Sequence, residues 1–189
     1  MKKFLKEQSY NMVKLFLNQI ALTVFGTILM LSTSENDSLL LASSIFSILF
    51  FLALSYTTCW DIGARDKIRV DSGRLKSMPS KGFVISLGAN IPNLILALAM
   101  GIGILTNTEM GHSISGFCNI AARLLNGMYL GVISTIENKL SLTAIEDWWI
   151  FAVITIPSLF TCTIAYLLGS KNIRILGLLG FKPKTNKKK

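Results

Sequence analysis

Acidic residues are scarce in this 189-residue chain, with ten Asp and Glu against nineteen Lys and Arg. Histidine occurs once, at His112, so no histidine pair exists to share a metal. The three cysteines, Cys59, Cys118 and Cys162, show no CxxC spacing. That excludes a zinc-ribbon framework, leaves an odd thiol in any disulfide scheme, and makes all three read as small apolar fillers. No GxSxG, Gly-rich phosphate loop or HExxH string occurs, which removes the common signatures of acyl, phosphoryl and metalloprotease chemistry. Neither catalysis, nor a metal, nor a cofactor is expected.

What the chain has is apolar length. Leu15 to Leu31, Leu39 to Cys59, Gly82 to Leu105 and Trp148 to Leu168 contain no Asp, Glu, Lys or Arg. Each approaches the roughly 20 residues that cross ~30 Å of hydrocarbon. All the Lys and Arg residues except Arg123 and Lys139 fall in three segments: Lys2 to Lys14, Arg65 to Lys81, and Lys171 to Lys189. An even number of runs separates these clusters, so the positive-inside rule places them on one side, the cytoplasm, with both termini there. The expected fold is therefore an all-α integral membrane protein, a four-helix transmembrane bundle with N-terminus and C-terminus inside. It is one polytopic domain over 1–189, with spans near 15–32, 39–59, 82–105 and 148–169 and a cytoplasmic basic tail over 170–189. Leu31-Ser32-Thr33-Ser34 makes a poor cleavage site, so the first run is expected to stay as an uncleaved span.

Between spans three and four lies a further apolar pattern. Ile114, Phe117, Cys118, Ala121, Leu125, Met128 and Val132 follow steps of three and four, with Ser115, Asn119, Arg123 and Asn126 on other faces. Counting 113–136 as a span would put the Lys-rich C-terminus outside, so an amphipathic interfacial or re-entrant helix is expected there. Asp61 to Lys81 reads as a cytoplasmic loop, with Gly63, Gly73 and Pro79 opposing a long helix and Asp66 able to pair with Arg69 in a short one. Within it, Asp61-Ile62-Gly63-Ala64-Arg65 resembles the opening of the metal-dependent membrane phosphatidyltransferase signature. No glycine follows Asp61, however, and Asp61, Asp66 and Asp71 stand five apart, off a common helical face, so the resemblance does not extend to a metal site.

Polar groups inside spans must find partners or line water. Asn18, Gln19, Asn90, Asn93 and Thr161 are the candidate lining of one cytoplasm-facing polar cavity, with Ser158 and Thr163 nearby; the bland alternative is interhelical glue of roughly 0.6 to 2 kcal/mol each. Pro92 should kink span three and Pro157 should interrupt span four. Ala97, Ala99, Gly101 and Gly103 form a small-residue face suited to close helix contact, and Arg123 is a candidate outer contact. Three functions follow as expectations. The first is a non-enzymatic accessory or assembly subunit of a bacterial plasma-membrane complex. The second is a small permease or lipid-handling transporter, and the third a membrane-active immunity protein. The expected partners are a bilayer including anionic lipids, which attract juxtamembrane lysines, and a second copy or a larger membrane protein. Nucleic acid is disfavoured because the basic residues flank spans.

Overall fold

The computed structural model describes residues 2–106, 108–140 and 148–173, with side chains from residue 7 onward. Among the described residues the fold is all helical. Four helical stretches are long and apolar enough to cross a membrane: Glu7–Thr33 within α1 (Lys2–Thr33), α2 (Asp37–Asp71), α3 (Lys81–Leu105) and Trp148–Ser170. The chain is membrane-embedded, and its surface agrees: Leu17, Val24, Leu49, Ile95, Leu98, Ile102 and Phe160 all point outward. Such a coat would drive aggregation in water; in hydrocarbon it is the solvent-matched face. The buried stripes carry the polar and small residues instead, as in α3, where Ser86, Ala89, Asn90, Asn93, Ala97, Gly101 and Gly103 lie inside.

Local chemistry sets the helix ends. The Asn36 side chain accepts from the amides of Ser38 and Leu39 at 3.0 and 3.2 Å, starting α2 close behind α1. Gly73, at φ +70°, ends it in a left-handed conformation that glycine adopts without strain. Gly63 does not break α2, contrary to the sequence expectation, and Asp61 to Asp71 is helix rather than loop. The reason is packing: a Cβ at Gly63 would lie 2.4 Å from the carbonyl oxygen of Tyr166, and one at Gly169 would lie 2.2 Å from that of Trp60. Paired glycines let the two backbones approach more closely than any side chain would allow. At 35 residues α2 is about 52 Å long, so it extends well past one hydrocarbon boundary. The fourth span is broken, as Pro157 predicts, into α6 (Trp148–Val153) and α7 (Ile156–Ser170), with Pro157 in the first turn of α7. Pro92 stays inside a continuous α3.

The segment between spans three and four forms α4 (Glu109–Leu125), a 3-10 turn (Gly127–Tyr129) and α5 (Leu130–Leu140). Thr108 caps α4, its hydroxyl oxygen accepting from the Gly111 amide at 3.0 Å. The helix then descends against α3: a Cβ at Gly103 would meet the Gly111 carbonyl at 2.6 Å and Ser115 at 3.1 Å. The turn lies inside the bundle, Met128 against Gly26 and Gly127 against Thr23 and Thr27. Helix α5 then packs on α2, with Gly131 against Leu40. Ser44 fixes that turn, its hydroxyl donating to the Met128 carbonyl at 2.7 Å and accepting from the Gly131 amide at 3.1 Å.

The polarity of α4 is inverted relative to a helix lying on water. Ser115, Cys118, Asn119 and Ala122 are buried, while Met110, Phe117, Ile120 and Leu124 are exposed. Residues 141–147 and the tail from Arg174 to Lys189 lie outside the described residues.

Candidate functional site

Two interruptions of helical regularity, the α6–α7 break and the turn after α4, converge with Pro92 of the continuous α3 at the middle of the bundle. Asn93 is the midpoint of α3, one residue beyond Pro92; Gln19 and Ser158 lie within one residue of the midpoints of Glu7–Thr33 and Trp148–Ser170. Ser158 follows the α6–α7 break, and Asn126 begins the turn after α4. Their side chains form one network. The Gln19 and Asn93 amides exchange hydrogen bonds at 3.2 and 3.1 Å. Asn93 Nδ2 donates to Asn90 Oδ1 at 3.1 Å, and Asn126 Nδ2 to Asn93 Oδ1 at 3.2 Å. Gln19 Nε2 also reaches Asn126 Oδ1 and the Leu125 carbonyl, both at 3.3 Å. Asn90 Nδ2 continues the chain to Ser158 Oγ at 3.1 Å, which pairs with Ser86 Oγ at 3.3 Å.

Of the residues expected to line a cavity, Gln19, Asn90 and Asn93 are thus brought together. Asn18 and Thr161 do not join them. The Asn18 amide donates to Thr58 Oγ1 at 3.2 Å across α1 and α2, and Thr161 sits half-buried, one residue before Cys162 on α7. Ser86 and Asn126 complete the network from positions outside the expected set; only the topology reveals Asn126, because it rests on α4 descending to mid-bundle. The enclosed space beside Gln19, Ser86, Asn90, Ser158 and Cys162 is about 10 Å³, roughly the space one water needs. The network is closed and self-satisfied. Cys162 is a hydrogen-bonding neighbour of both Cys59 and Ser86, and the three cysteines are free and buried.

A second polar group lies toward the 71–81 end. Lys81 Nζ and Asp66 Oδ2 are 2.5 Å apart with side chains only 5% and 4% exposed, and the Tyr166 hydroxyl donates to the same oxygen at 3.0 Å. Asp66 therefore pairs across α2, α3 and α7 and not with Arg69. The sequence concealed this because the partners stand 15 and 100 residues away. Above the cluster opens a pocket of about 240 Å³, with Asp66 and Tyr166 in its lining, Val70, Pro79 and Leu167 in its walls, and Lys67, Asp71 and Lys171 also lining it. Among the described residues no three His, Cys, Asp or Glu side chains gather closely enough to hold a metal ion.

The remaining candidates are engaged within the chain. Arg123 forms an ion pair with Glu137 and donates to Asn119 Oδ1 at 2.6 Å, joining α4 to α5. Gly101 receives the Trp148 ring, which would lie 3.2 Å from a Cβ there. Gly103 receives α4, Ala97 is buried, and Ala99 borders an open apolar groove with Ile102 and Ile114. No protein-family profile, curated protein or solved structure matches the chain.

Proposed function

We propose that this chain is a non-enzymatic, multi-pass permease of a bacterial plasma membrane, both termini cytoplasmic, seen closed around a site for a small neutral solute rich in hydrogen-bonding groups. The observation that carries this reading is the convergence of the α6–α7 break, the Asn126 turn and Pro92 on one amide cluster at mid-bundle. Discontinuous helices at that depth are the recurrent way membrane carriers expose polar groups to a solute. Irregular backbone there is tolerated only where protein or a polar cavity covers it. The inverted polarity of α4 and its return through α5 support a re-entrant hairpin over an interfacial helix. Every partner named within the cluster is an amide, hydroxyl or carbonyl, which favours passive handling of an uncharged molecule.

The test is thiol access. In a variant lacking native cysteines, Asn93→Cys should react with a soluble thiol reagent added from the cytoplasmic side, slowly, as the bundle opens. No reaction over hours, in protein that remains folded, would reduce the cluster to structural glue. The accessory-subunit reading would then lead, and one feature favours it: Phe25, Phe46 and Phe50 are exposed on the α1–α2 face, Phe50 meeting Phe25 edge-on and stacking on Phe46 with ring centroids 6.2 and 6.4 Å apart. Arg123, committed to Glu137 and Asn119, offers little to an external molecule.

A further inference from the structure

The 240 Å³ pocket, lined by α2, the 72–80 connection and the end of α7, and the amide cluster share α7 and are separated by a thin layer of protein. Going inward along α7 from Tyr166, one turn reaches Cys162 and a second reaches Ser158; along α3 the matching steps from Lys81 are Ser86 and Asn90. The layer is tight. A Cβ at Gly82 would lie 2.5 Å from that of Tyr166 and 2.7 Å from the Cys162 carbonyl. Its outer surface is the Asp66–Lys81–Tyr166 cluster, of which Asp66 and Tyr166 line the pocket, and its inner surface includes Cys162 beside the 10 Å³ space. We infer that this ion-paired cluster is the cytoplasmic gate of the permease proposed above and that the pocket is its entrance vestibule, where a neutral solute waits before the gate parts.

Three arguments support a gate over a simple strut. The cluster ties α2, α3 and α7, the helices whose separation would join the vestibule to the amide cluster, and among the described residues α1, which brings Gln19, adds no side chain to it. Its partners are almost wholly buried although the 240 Å³ vestibule adjoins them, so a small outward movement of α7 exchanges the ion pair for hydration. Such a group has two alternatives of comparable free energy, because buried pairs regain in solvation most of what they lose in attraction. The far end has its own tie in Arg123–Glu137, so the cluster is closed on both sides, as an occluded site requires.

This inference rests on the permease reading, and the experiment separates the two. Cys162 lies between gate and cluster, so its reactivity reports the gate alone. With Cys162 as the only thiol, a soluble reagent should react slowly in the parent protein. The rate should rise on the order of a hundredfold in Asp66→Asn, as expected when a buried pair is broken from one side. It should rise roughly tenfold in Tyr166→Phe, which loses one hydrogen bond to a charged group. The double exchange Asp66→Lys with Lys81→Asp should return the rate toward the parental value. Cys118, as sole thiol in the same variants, should stay slow, which distinguishes gate opening from general unfolding. Equal Cys162 rates in all variants, or a double exchange as fast as Asp66→Asn, would overturn the gate and leave the Asn93 result standing. Fast Cys118 in Asp66→Asn would make the pair a structural strut, unless Tyr166→Phe alone accelerates Cys162.

Discussion

Asn93 shares hydrogen bonds with Gln19, Asn90 and Asn126 at once, so its replacement by Leu strands polar atoms on three helical segments. A buried group deprived of its partner costs about 1 to 3 kcal/mol, and Asn93→Leu should destabilise the bundle by roughly the upper end of that range. Thermal unfolding in mild detergent measures it, and a melting temperature within a degree of the parent's would show the network contributes little. The Tyr129 hydroxyl is the opposite case, being buried with no hydrogen-bond partner among the described residues. Tyr129→Phe removes an atom that already bears the desolvation penalty, so it should leave stability unchanged or raise it by up to about 1 kcal/mol. The cluster was partly legible in sequence, since Asn and Gln inside apolar runs must be satisfied somewhere. Depth alone, however, did not separate Ser158, which joins the network, from Thr161, three residues and most of a helical turn further on. Asp66 was illegible as a buried group, because its nearest charges in sequence, Arg65, Lys67 and Arg69, suggested solvated local pairs.

Among elements, α2 shows how tertiary contact overrides propensity. Glycine in a helix interior costs roughly 0.5 to 1 kcal/mol relative to Ala, and on that basis Gly63 read as a breaker. The α2–α7 approach reverses its meaning: the absent side chain is the contact. Gly63→Leu should separate the two helices and destabilise by about 1 to 3 kcal/mol, the usual penalty for overpacking, with loss of the folded peak in detergent chromatography as the readout. Gly116 on α4 provides the control. Among the described residues a Cβ there meets nothing within 4 Å, so Gly116→Ala should stabilise by roughly 0.5 to 1 kcal/mol through helix propensity alone. Sequence marked Ala97, Ala99, Gly101 and Gly103 of α3 as a small-residue face but could not say what meets it. Gly103 meets α4 and Gly101 meets Trp148, so the chain itself occupies positions that, read in isolation, suggested a second protein.

At the scale of the whole molecule, the apolar runs and the asymmetry of basic residues made four membrane-crossing helices legible without any contact information. The path of 109–140 was not, because periodicity identifies a helical face without saying whether it looks toward protein, lipid or water. The structure turns Met110, Phe117, Ile120 and Leu124 of α4 outward and Ser115 and Asn119 inward. If α4 and α5 enter and leave on the outer side, single cysteines at Ser113 and Lys139, both exposed, should react with an impermeant reagent from the same face. A cysteine at Ser77, in the loop after α2, should react only from the other. The expected pattern is Ser113 and Lys139 labelled on intact cells and Ser77 only after permeabilisation. Labelling of Ser113 and Lys139 from opposite faces would make the segment a fifth span, and Trp148–Ser170 would then run in reverse. That reversal would be incompatible with the contacts of Tyr166 with Asp66 on α2 and of Ser158 with Asn90 on α3. The same labelling pattern therefore tests the α2–α3–α7 register, and with it the placement of the gate at the basic end of the bundle.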